Sequence, residues 1–324
     1  MAGGQERILR RRIRSVQSTK KITRAMELIA ASRIVRAQQR VAAARPYSEQ
    51  ITGVLGNLAA AGAGLSSPLL TPREEVRTVA YVVITGDRGL AGAYNTNVIR
   101  LAERALREDR AAGRSVALVC VGKKAEGYFR FRGQPIEASF TGMTDQPTYE
   151  DAKSVASAVT SRFEEGDFDQ VDLVYTQFIS VGTQRVVRRR FMPLDPASLE
   201  QAAEGGPSAD YEFEPAPGTI LERLLPRYAE ARLFAAMLDA AASEHAARQR
   251  AMKSATDNAE ELITKLTRIM NRARQDAITT EIMEIVSGAE AMRAGAADDD
   301  ADYLVDRVGS GEAFFERQPE RSET

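Results

Sequence analysis

Two long stretches without glycine or proline most strongly limit what this chain can fold into. The first covers residues 5–45 and the second covers residues 227–287. Both are rich in good helix formers, and at 1.5 Å per residue they predict helices of roughly 60 and 90 Å. Helices of this length need another element to rest on, so we expect the two to pair with each other.

Apolar residues in both stretches recur at steps of three and four, which is helical periodicity. The seam predicted for the first stretch is Leu9, Ile13, Val16, Ile22, Met26, Ile29, Ile34, Ala37, Val41 and Ala44. The seam predicted for the second is Met252, Ala255, Ala259, Leu262, Leu266, Ile269, Ala273 and Ala277, continued by Ile278, Ile282, Ile285, Ala289 and Met292. An average step of 3.5 is typical of a coiled coil. The longer helix is expected to project beyond the shorter one or to lie inside a partner protein.

Between these stretches the pattern changes to that of buried strands. Strands are predicted at residues 78–84, 116–121, 136–140, 171–180 and 184–192. Helices are predicted at residues 97–111, 123–131 and 149–165. The first two strands are continuous apolar runs with many β-branched residues, as expected of strands buried on both faces. Alternating strands and helices indicate a layered domain with a mostly parallel sheet.

The predicted fold class is therefore α/β, with a long antiparallel coiled coil of N- and C-terminal helices and an inserted Rossmann-like α/β domain. The predicted segments are an N-terminal coiled-coil helix (1–70), the α/β domain (76–194), an acidic loop (195–218), a C-terminal coiled-coil helix (219–292) and a disordered acidic tail (293–324). Pro46 is expected to kink the first helix without ending it. Pro226 is expected at the start of the second helix or at a kink in it.

The balanced total charge hides a strong local asymmetry. The net charge of −1 excludes a globally basic protein. Residues 1–45 nevertheless contain twelve Lys or Arg and only two acids, Glu6 and Glu27, whereas residues 295–324 contain nine acids and three arginines. A basic helix that meets an acidic partner gains steering and register from its charge. The charge pattern therefore favours a partner surface along the first helix.

Cysteine and histidine usage excludes several kinds of site. The only cysteine, Cys120, excludes an internal disulfide and a cysteine-built zinc site, and the only histidine, His245, excludes a His-rich metal centre. We expect no metal and no cofactor. Cys120 is expected to be inert core, and His245 is expected on the face of a helix, without a catalytic role. No apolar run approaches the ~18 residues needed to cross a bilayer.

Two alternative functions follow from individual features. The glycine turn at residues 86–92 lies between a predicted strand and helix, where phosphate loops occur, so a stand-alone Rossmann-like nucleotide-binding protein is one alternative. Its spacing is GxxGxxG, whereas the dinucleotide fingerprint is GxGxxG. The second alternative is a nucleic-acid binder that uses the basic first helix. That helix lacks the aromatic residues on which bases stack.

The segment ITTEIMEIVSGAEA, residues 278–291, resembles the signature of the gamma subunit of bacterial F-type ATP synthases. The matching positions are Ile278, Thr279, Glu281, Glu284, Gly288 and Ala289. Three further segments resemble the same family: STKKITRAMELIAASRIVRAQ at 18–38, TGDRGLAGAYN at 85–95 and HAARQRAMKSATDNAEELI at 245–263. The resemblance covers about residues 1–292.

This resemblance implies a non-catalytic rotor shaft. The coiled coil would stand inside a hexamer of alpha and beta subunits, with one copy in each complex. The α/β domain, together with an epsilon subunit, would rest on the ring of c subunits. Torque from proton flow would reach the catalytic sites in beta, and the shaft would regulate ATPase activity and proton flow. The implied location is peripheral, on the cytoplasmic face of the bacterial plasma membrane.

The resemblance also implies contact residues. Met26, Arg33 and Arg36 match positions facing the acidic lever loop of beta. Arg274, Gln275, Thr279 and Glu281 match the polar set that touches the catch loops of alpha and beta. The final 32 or so residues depart from the family pattern, and the paired cysteines of the redox-regulated chloroplast form are missing, so thiol control is not expected.

Overall fold

The fold combines long helices from both ends of the chain with a central sheet. The computed structural model describes residues 2–60, 67–194 and 214–309, with side chains for 5–58, 67–194 and 214–293. The helices are α1 (Ala2–Ala60), α2 (Tyr94–Ala111), α3 (Lys123–Phe131), α4 (Tyr149–Glu165) and α5 (Pro217–Gly309). The strands are β1 (Thr78–Ile84), β2 (Ser115–Val121), β3 (Ala138–Phe140), β4 (Gln170–Phe178) and β5 (Gln184–Met192).

The sheet has the order β3-β2-β1-β4-β5, in which the first four strands are parallel and β5 is antiparallel at the edge. Strand β1 lies at its centre and is buried on both faces. Its alternate residues Ala80, Val82 and Ile84 enter a core with α1, α4 and α5. The side chains between them enter a second core with α2 and α3. The prediction of a mixed α/β fold with a mostly parallel sheet is confirmed.

Contacts divide the chain into two compact units, residues 1–18 with 259–324 and residues 19–258. In the larger unit, α1 and α5 touch directly. The hydroxyl oxygens of Thr23 and Thr256 are 2.8 Å apart in a buried hydrogen bond. Arg33, ten residues further along α1, lines the same cleft as His245, which precedes Thr256 on α5. The two helices are therefore antiparallel in this unit.

The predicted seam of α1 is wrong in its middle. Ile22 and Ile29 are 61% and 54% exposed. The buried positions are Thr23, Glu27 and Ala30. Steps of three and four residues connect these buried positions to Ile13 on one side and to Ile34 on the other. Each apolar residue predicted for this part of the seam lies one position before the residue that is buried. Polar side chains can occupy this seam because Thr23 bonds Thr256 and Glu27 bonds Arg24.

The seam of α5 shows the same kind of correction. Leu262 and Ile269 are exposed, and the more buried neighbours Ile263 and Met270 take their places. Counting from Met252, the alternation of four and three residues passes through Thr256, not Ala255. The later predicted seam residues Ile278, Ile282, Ile285 and Met292 are all exposed among the described residues of their unit.

Pro46 does not end α1, as predicted, whereas the ends of α5 differ from those expected. Helix α1 continues through Pro46 and is described to Ala60, and Pro226 lies inside α5, which begins at Pro217. Helix α5 also extends past residue 292 to Gly309, because the segment that follows is alanine-rich and contains no proline. Most of the predicted acidic loop, at 195–213, and the last part of the predicted tail, at 310–324, lie outside the described residues.

Candidate functional site

The glycine turn after β1 is shaped to receive a side chain from α5. A Cβ atom added at Gly86 would lie 2.7 Å from Cδ of Glu244, so only glycine leaves room for that carboxyl group. The backbone N–H of Gly86 donates to Oδ1 of Asn95 at 2.8 Å, which fixes the turn to the start of α2. Gly92 has a φ of +57°, a region that favours glycine. The glycines therefore serve close packing between the turn and α5.

The carboxylate of Asp87, within the glycine turn, binds the start of α3. It accepts hydrogen bonds from the backbone N–H of Lys123 at 3.1 Å and from the hydroxyl of Thr144 at 2.8 Å. Burial raises the pKa of Asp87, but backbone hydrogen bonds from Gly142, Thr144 and Lys123 outweigh it and the pKa is lowered. A negative charge fixed within the glycine turn disfavours a phosphate bound by that turn. This geometry argues against the nucleotide-binding alternative.

Glu244 and Arg248 form a buried ion pair, one helical turn apart on α5. Arg248 also donates to the carbonyl oxygen of Gly89 at 3.2 Å, so the pair ties α5 to the glycine turn. Burial raises the pKa of Glu244, and the charge of Arg248 only partly offsets it. Sequence reasoning missed this pair. Its available signal was the i, i+4 spacing of an acid and a base in an alanine-rich helix.

His245 is buried against a loop of the inserted domain. Its Nε2 lies 3.2 Å from the backbone oxygen of Asp145 and 3.8 Å from Oδ1 of the same residue. Burial lowers the pKa of His245 more strongly than Asp145 raises it. The histidine lies on α5 as predicted, but inside a contact and not on an open helix face. Cys120 is fully buried in β2, and burial, with a smaller effect of Glu126, raises its pKa to about 12.

Four residues of α1 form what we call the arginine face: Met26, Arg33, Arg36 and Arg40. Their spacings of seven, three and four residues place them along one side of the helix. Arg33 forms an ion pair with Asp145, whereas Arg36 and Arg40 are exposed and have no ion pair among the described side chains. The three arginines line a cleft of about 410 Å³ together with Asp145 and His245. Met26 is half-buried beside the seam.

The residues matched to the catch loops lie exposed on α5. These are Arg274, Gln275, Thr279 and Glu281. The hydroxyl of Thr279 donates to the backbone oxygen of Gln275 at 3.0 Å, so this contact is local to the helix. The remaining signature residues Ile278, Glu284, Gly288 and Ala289 are exposed as well. The surface is chemically mixed, because Ile285 nearby is 67% exposed.

Within the ranges that the structure describes, no group of three His, Cys, Asp or Glu side chains is placed to hold a metal ion. In the same ranges, no helix combines the length and the apolar character that crossing a membrane requires.

Long terminal helices, an inserted α/β domain and an apolar helix segment left exposed together define the stalk type of subunit that belongs to a larger assembly. Comparison of structures supports this fold. The fold is similar to a chain in the mitochondrial ATP synthase of Euglena gracilis, with a TM-score of 0.64, 19% identity and coverage of 91% of this chain and 96% of that one.

Comparison of sequences identifies the family. The model of a family described as ATP synthase matches residues 5–292. The ATP synthase gamma chain of Parafrankia sp. (strain EAN1pec) is 53% identical over 297 residues, covering 90% of this chain and 99% of the relative. That of Heliobacterium modesticaldum is 46% identical, covering 88% and 98%. The chain belongs to the ATP synthase gamma chain family, the central stalk of F-type ATP synthase. Catalysis lies in the beta subunits, and this chain is non-catalytic.

Proposed function

We propose that the chain carries torque from a membrane ring of c subunits to the catalytic sites of an alpha/beta hexamer. In doing so it regulates ATPase activity and proton flow. One charge crossing the membrane contributes only about 2.3 kcal/mol per 100 mV, so several crossings must be combined for each ATP. Combining them needs a stiff element that holds strain between steps. An antiparallel pair of long helices is such an element.

The exposed apolar segment of α5 is the observation that carries this proposal. Ile278, Ile282 and Ile285 are half or more exposed on a helix whose earlier apolar residues Met252 and Leu266 are buried. Apolar stripes of this kind mark protein contacts. A close-fitting collar formed by alpha and beta subunits would cover this segment and would still allow it to turn.

The segments predicted from the sequence are proposed as functional parts. Within the stretches 1–70 and 219–292, helices α1 and α5 form the coiled coil, and 76–194 forms the inserted domain. The loop at 195–218 and the tail at 293–324, whose first part continues α5 to Gly309, are acidic attachments. We assign no function to the tail.

The arginine face is proposed to meet the acidic lever loop of beta. Arg36 and Arg40 are exposed without an ion pair among the described residues, and Arg33 is partly exposed at the mouth of the cleft. Met26 adds an apolar contact beside them. Exposed ion pairs contribute about 0–1 kcal/mol each, so such contacts form and break as the shaft turns.

The second proposed contact set is Arg274, Gln275, Thr279 and Glu281, facing the catch loops of alpha and beta. These side chains are exposed on the same helix segment as the exposed apolar residues Ile278 and Ile282, a combination suited to a tight collar with a few polar contacts. The inserted domain is proposed to rest, with an epsilon subunit, on the c-ring. We propose one copy of the chain in each complex, peripheral to the cytoplasmic face of the bacterial plasma membrane.

ATP-driven proton pumping tests the proposal. Gln275→Leu in the assembled complex, measured in inverted membrane vesicles, is expected to lower pumping at least twofold, because the polar contact inside the collar is lost. Asn258→Leu is the matched control, since it makes a similar exchange at an exposed α5 position before that segment. Unchanged pumping with Gln275→Leu would overturn the assignment of this contact set.

A further inference from the structure

Arg33 of α1 is held by a residue of the inserted domain. Its Nη1 forms an ion pair with Oδ2 of Asp145, which lies in the loop between β3 and α4. The two residues are 112 positions apart in sequence, so the pair joins two separate elements. Both side chains are partly buried, at 29% and 25% exposure. The pair is thus shielded enough to persist, and one side of it faces the cleft.

The ion pair leaves most of the Arg33 guanidinium available. A guanidinium has five N–H donors in a fixed plane. Within the described residues only the bond from Nη1 to Asp145 is present. Arg33 lines a cleft in which Arg36 and Arg40 add two more positive charges against the single carboxylate of Asp145. Because Asp145 fixes one edge of the planar Arg33 guanidinium, the opposite edge is held in an orientation that can bind a second acidic side chain.

Asp145 is itself held from a different side. The buried His245 lies 3.2 Å from its backbone oxygen. The neighbouring Thr144 is fixed through its backbone N–H and hydroxyl to the carboxylate of Asp87. The loop backbone is therefore bound to both α5 and the glycine turn. Oδ1 of Asp145 has no hydrogen-bond partner in the described part of the chain, so the carboxylate is not saturated by its own loop.

We propose that Asp145 is the positioning residue for Arg33, holding its guanidinium at the mouth of the cleft in the orientation that receives the acidic lever loop of beta. The inference rests on the proposed function of the arginine face. Asp145 does not touch the partner in this account; it acts through Arg33. Without Asp145, the Arg33 side chain would sample several rotamers. Each binding event would then have to fix one of them, and this loss of conformational entropy would weaken binding.

The test is a double-mutant cycle in the complete complex. Asp145→Asn, Arg33→Gln and the double variant are compared by the ratio of protons pumped to ATP hydrolysed in inverted vesicles. Asp145→Glu is the conservative rescue variant. Glu164→Gln, which removes a charge from an exposed position of α4, is the matched control. Each single variant of the pair is expected to lower the ratio about two- to fivefold, the range of a partly exposed charge contact.

Three results support the inference together: the double variant is no worse than Arg33→Gln, Asp145→Glu restores most of the ratio, and Glu164→Gln behaves as the unmodified chain. If Asp145 only stabilised the fold, Asp145→Glu would not restore the pumping ratio while the double variant also behaved like Arg33→Gln. If Arg33→Gln lowers the ratio but Asp145→Asn does not, or if their effects add, the positioning role is wrong and the lever contact stands. If Arg33→Gln itself leaves the ratio unchanged, the proposed contact of Arg33 fails, and the positioning role fails with it.

Discussion

The carboxyl carbon of Glu244 lies 2.7 Å from the point where a Cβ of Gly86 would be. The approach is possible because Glu244 is bound by Arg248, which also bonds the carbonyl of Gly89. The glycine turn and α5 therefore pack closely against each other around the buried ion pair of Glu244 and Arg248. This contact joins the inserted domain to the helix from which the C-terminal contact set extends.

Gly86→Ala is expected to destabilise the chain by about 1–3 kcal/mol, because Glu244 is buried and cannot move aside without losing its ion pair. The free energy of unfolding in urea measures this. Gly127→Ala is the control, since Gly127 lies inside α3 with open space around it. That control is expected to stabilise by about 0.5–1 kcal/mol through helix propensity. Equal effects of the two changes would contradict the close fit.

The inserted domain was the more predictable part of the structure. The run TVAYVVI at 78–84 is apolar throughout, and the structure confirms it as β1 within its predicted bounds. A strand that is buried on both faces is a continuous apolar run, and such a run can be recognised from residues that are adjacent in sequence. The edge strand β5 and the short β3 were also predicted close to their observed positions.

The seam of the long helices was less predictable, since it depends on a partner far away in sequence. The middle of α1 carries two neighbouring stripes, and the more apolar one is not the seam, since Ile22 is exposed and Thr23 is buried. The choice is decided by Thr256, 233 residues away, which gives Thr23 a hydrogen-bond partner. The ion pair of Asp145 escaped prediction for the same reason, because its partner Arg33 is 112 residues away in sequence. Glu244 and Arg248 are close in sequence, but the packing of Glu244 against Gly86 depends on a residue far from both.

The threonine pair leads to a prediction of non-additivity. Thr23→Val is expected to cost about 0.5–1 kcal/mol, because Thr256 loses a buried partner but still donates to the carbonyl of Met252. The double change to valine is expected to come within about 0.5 kcal/mol of the unmodified chain, since both polar groups are then removed together. Urea unfolding of all three variants checks this, with the exposed Thr264→Val as control. Additive losses would contradict the pairing.

The corrected seam of α5 predicts a sharp contrast between two leucines four residues apart. Leu266 is 6% exposed and Leu262 is 38% exposed. Leu266→Ala is expected to cost about 2–3 kcal/mol of unfolding free energy, and Leu262→Ala less than about 1 kcal/mol. Thermal and urea unfolding of the full chain measure both. A larger loss of unfolding free energy for Leu262→Ala than for Leu266→Ala would contradict the corrected seam and favour the one predicted from the sequence.

Asp239 of α5 gives the chain a pH-dependent stability. Burial raises its pKa to about 6, against weaker opposing effects of Arg189 and the backbone N–H of Phe178. The unfolded chain loses this proton near the ordinary value of 3.8, whereas the folded chain keeps it to about 6. The folded state binds more protons in this window, so the contribution of Asp239 to stability is complete below pH 3.8 and is lost as the pH rises through 6.

Asp239→Asn keeps the acceptor for Phe178 and removes the titration. It is expected to be about 2–3 kcal/mol more stable than the unmodified chain at pH 7 and within about 0.5 kcal/mol of it near pH 4. Urea midpoints across this range measure the difference. Asp257→Asn, on an exposed part of the same helix, is the control. A constant difference between Asp239→Asn and the unmodified chain at all pH values would contradict the role of Asp239.

Rotation of the chain inside its complex tests the central claim most directly. Cys120 is fully buried, so a cysteine introduced by Glu108→Cys on the exposed side of α2 gives a selective attachment point for an optical probe. With the alpha and beta subunits immobilised and ATP supplied, the account predicts that the probe turns in one direction as ATP is hydrolysed. A complex that hydrolyses ATP with this chain in place while the probe stays still would contradict it.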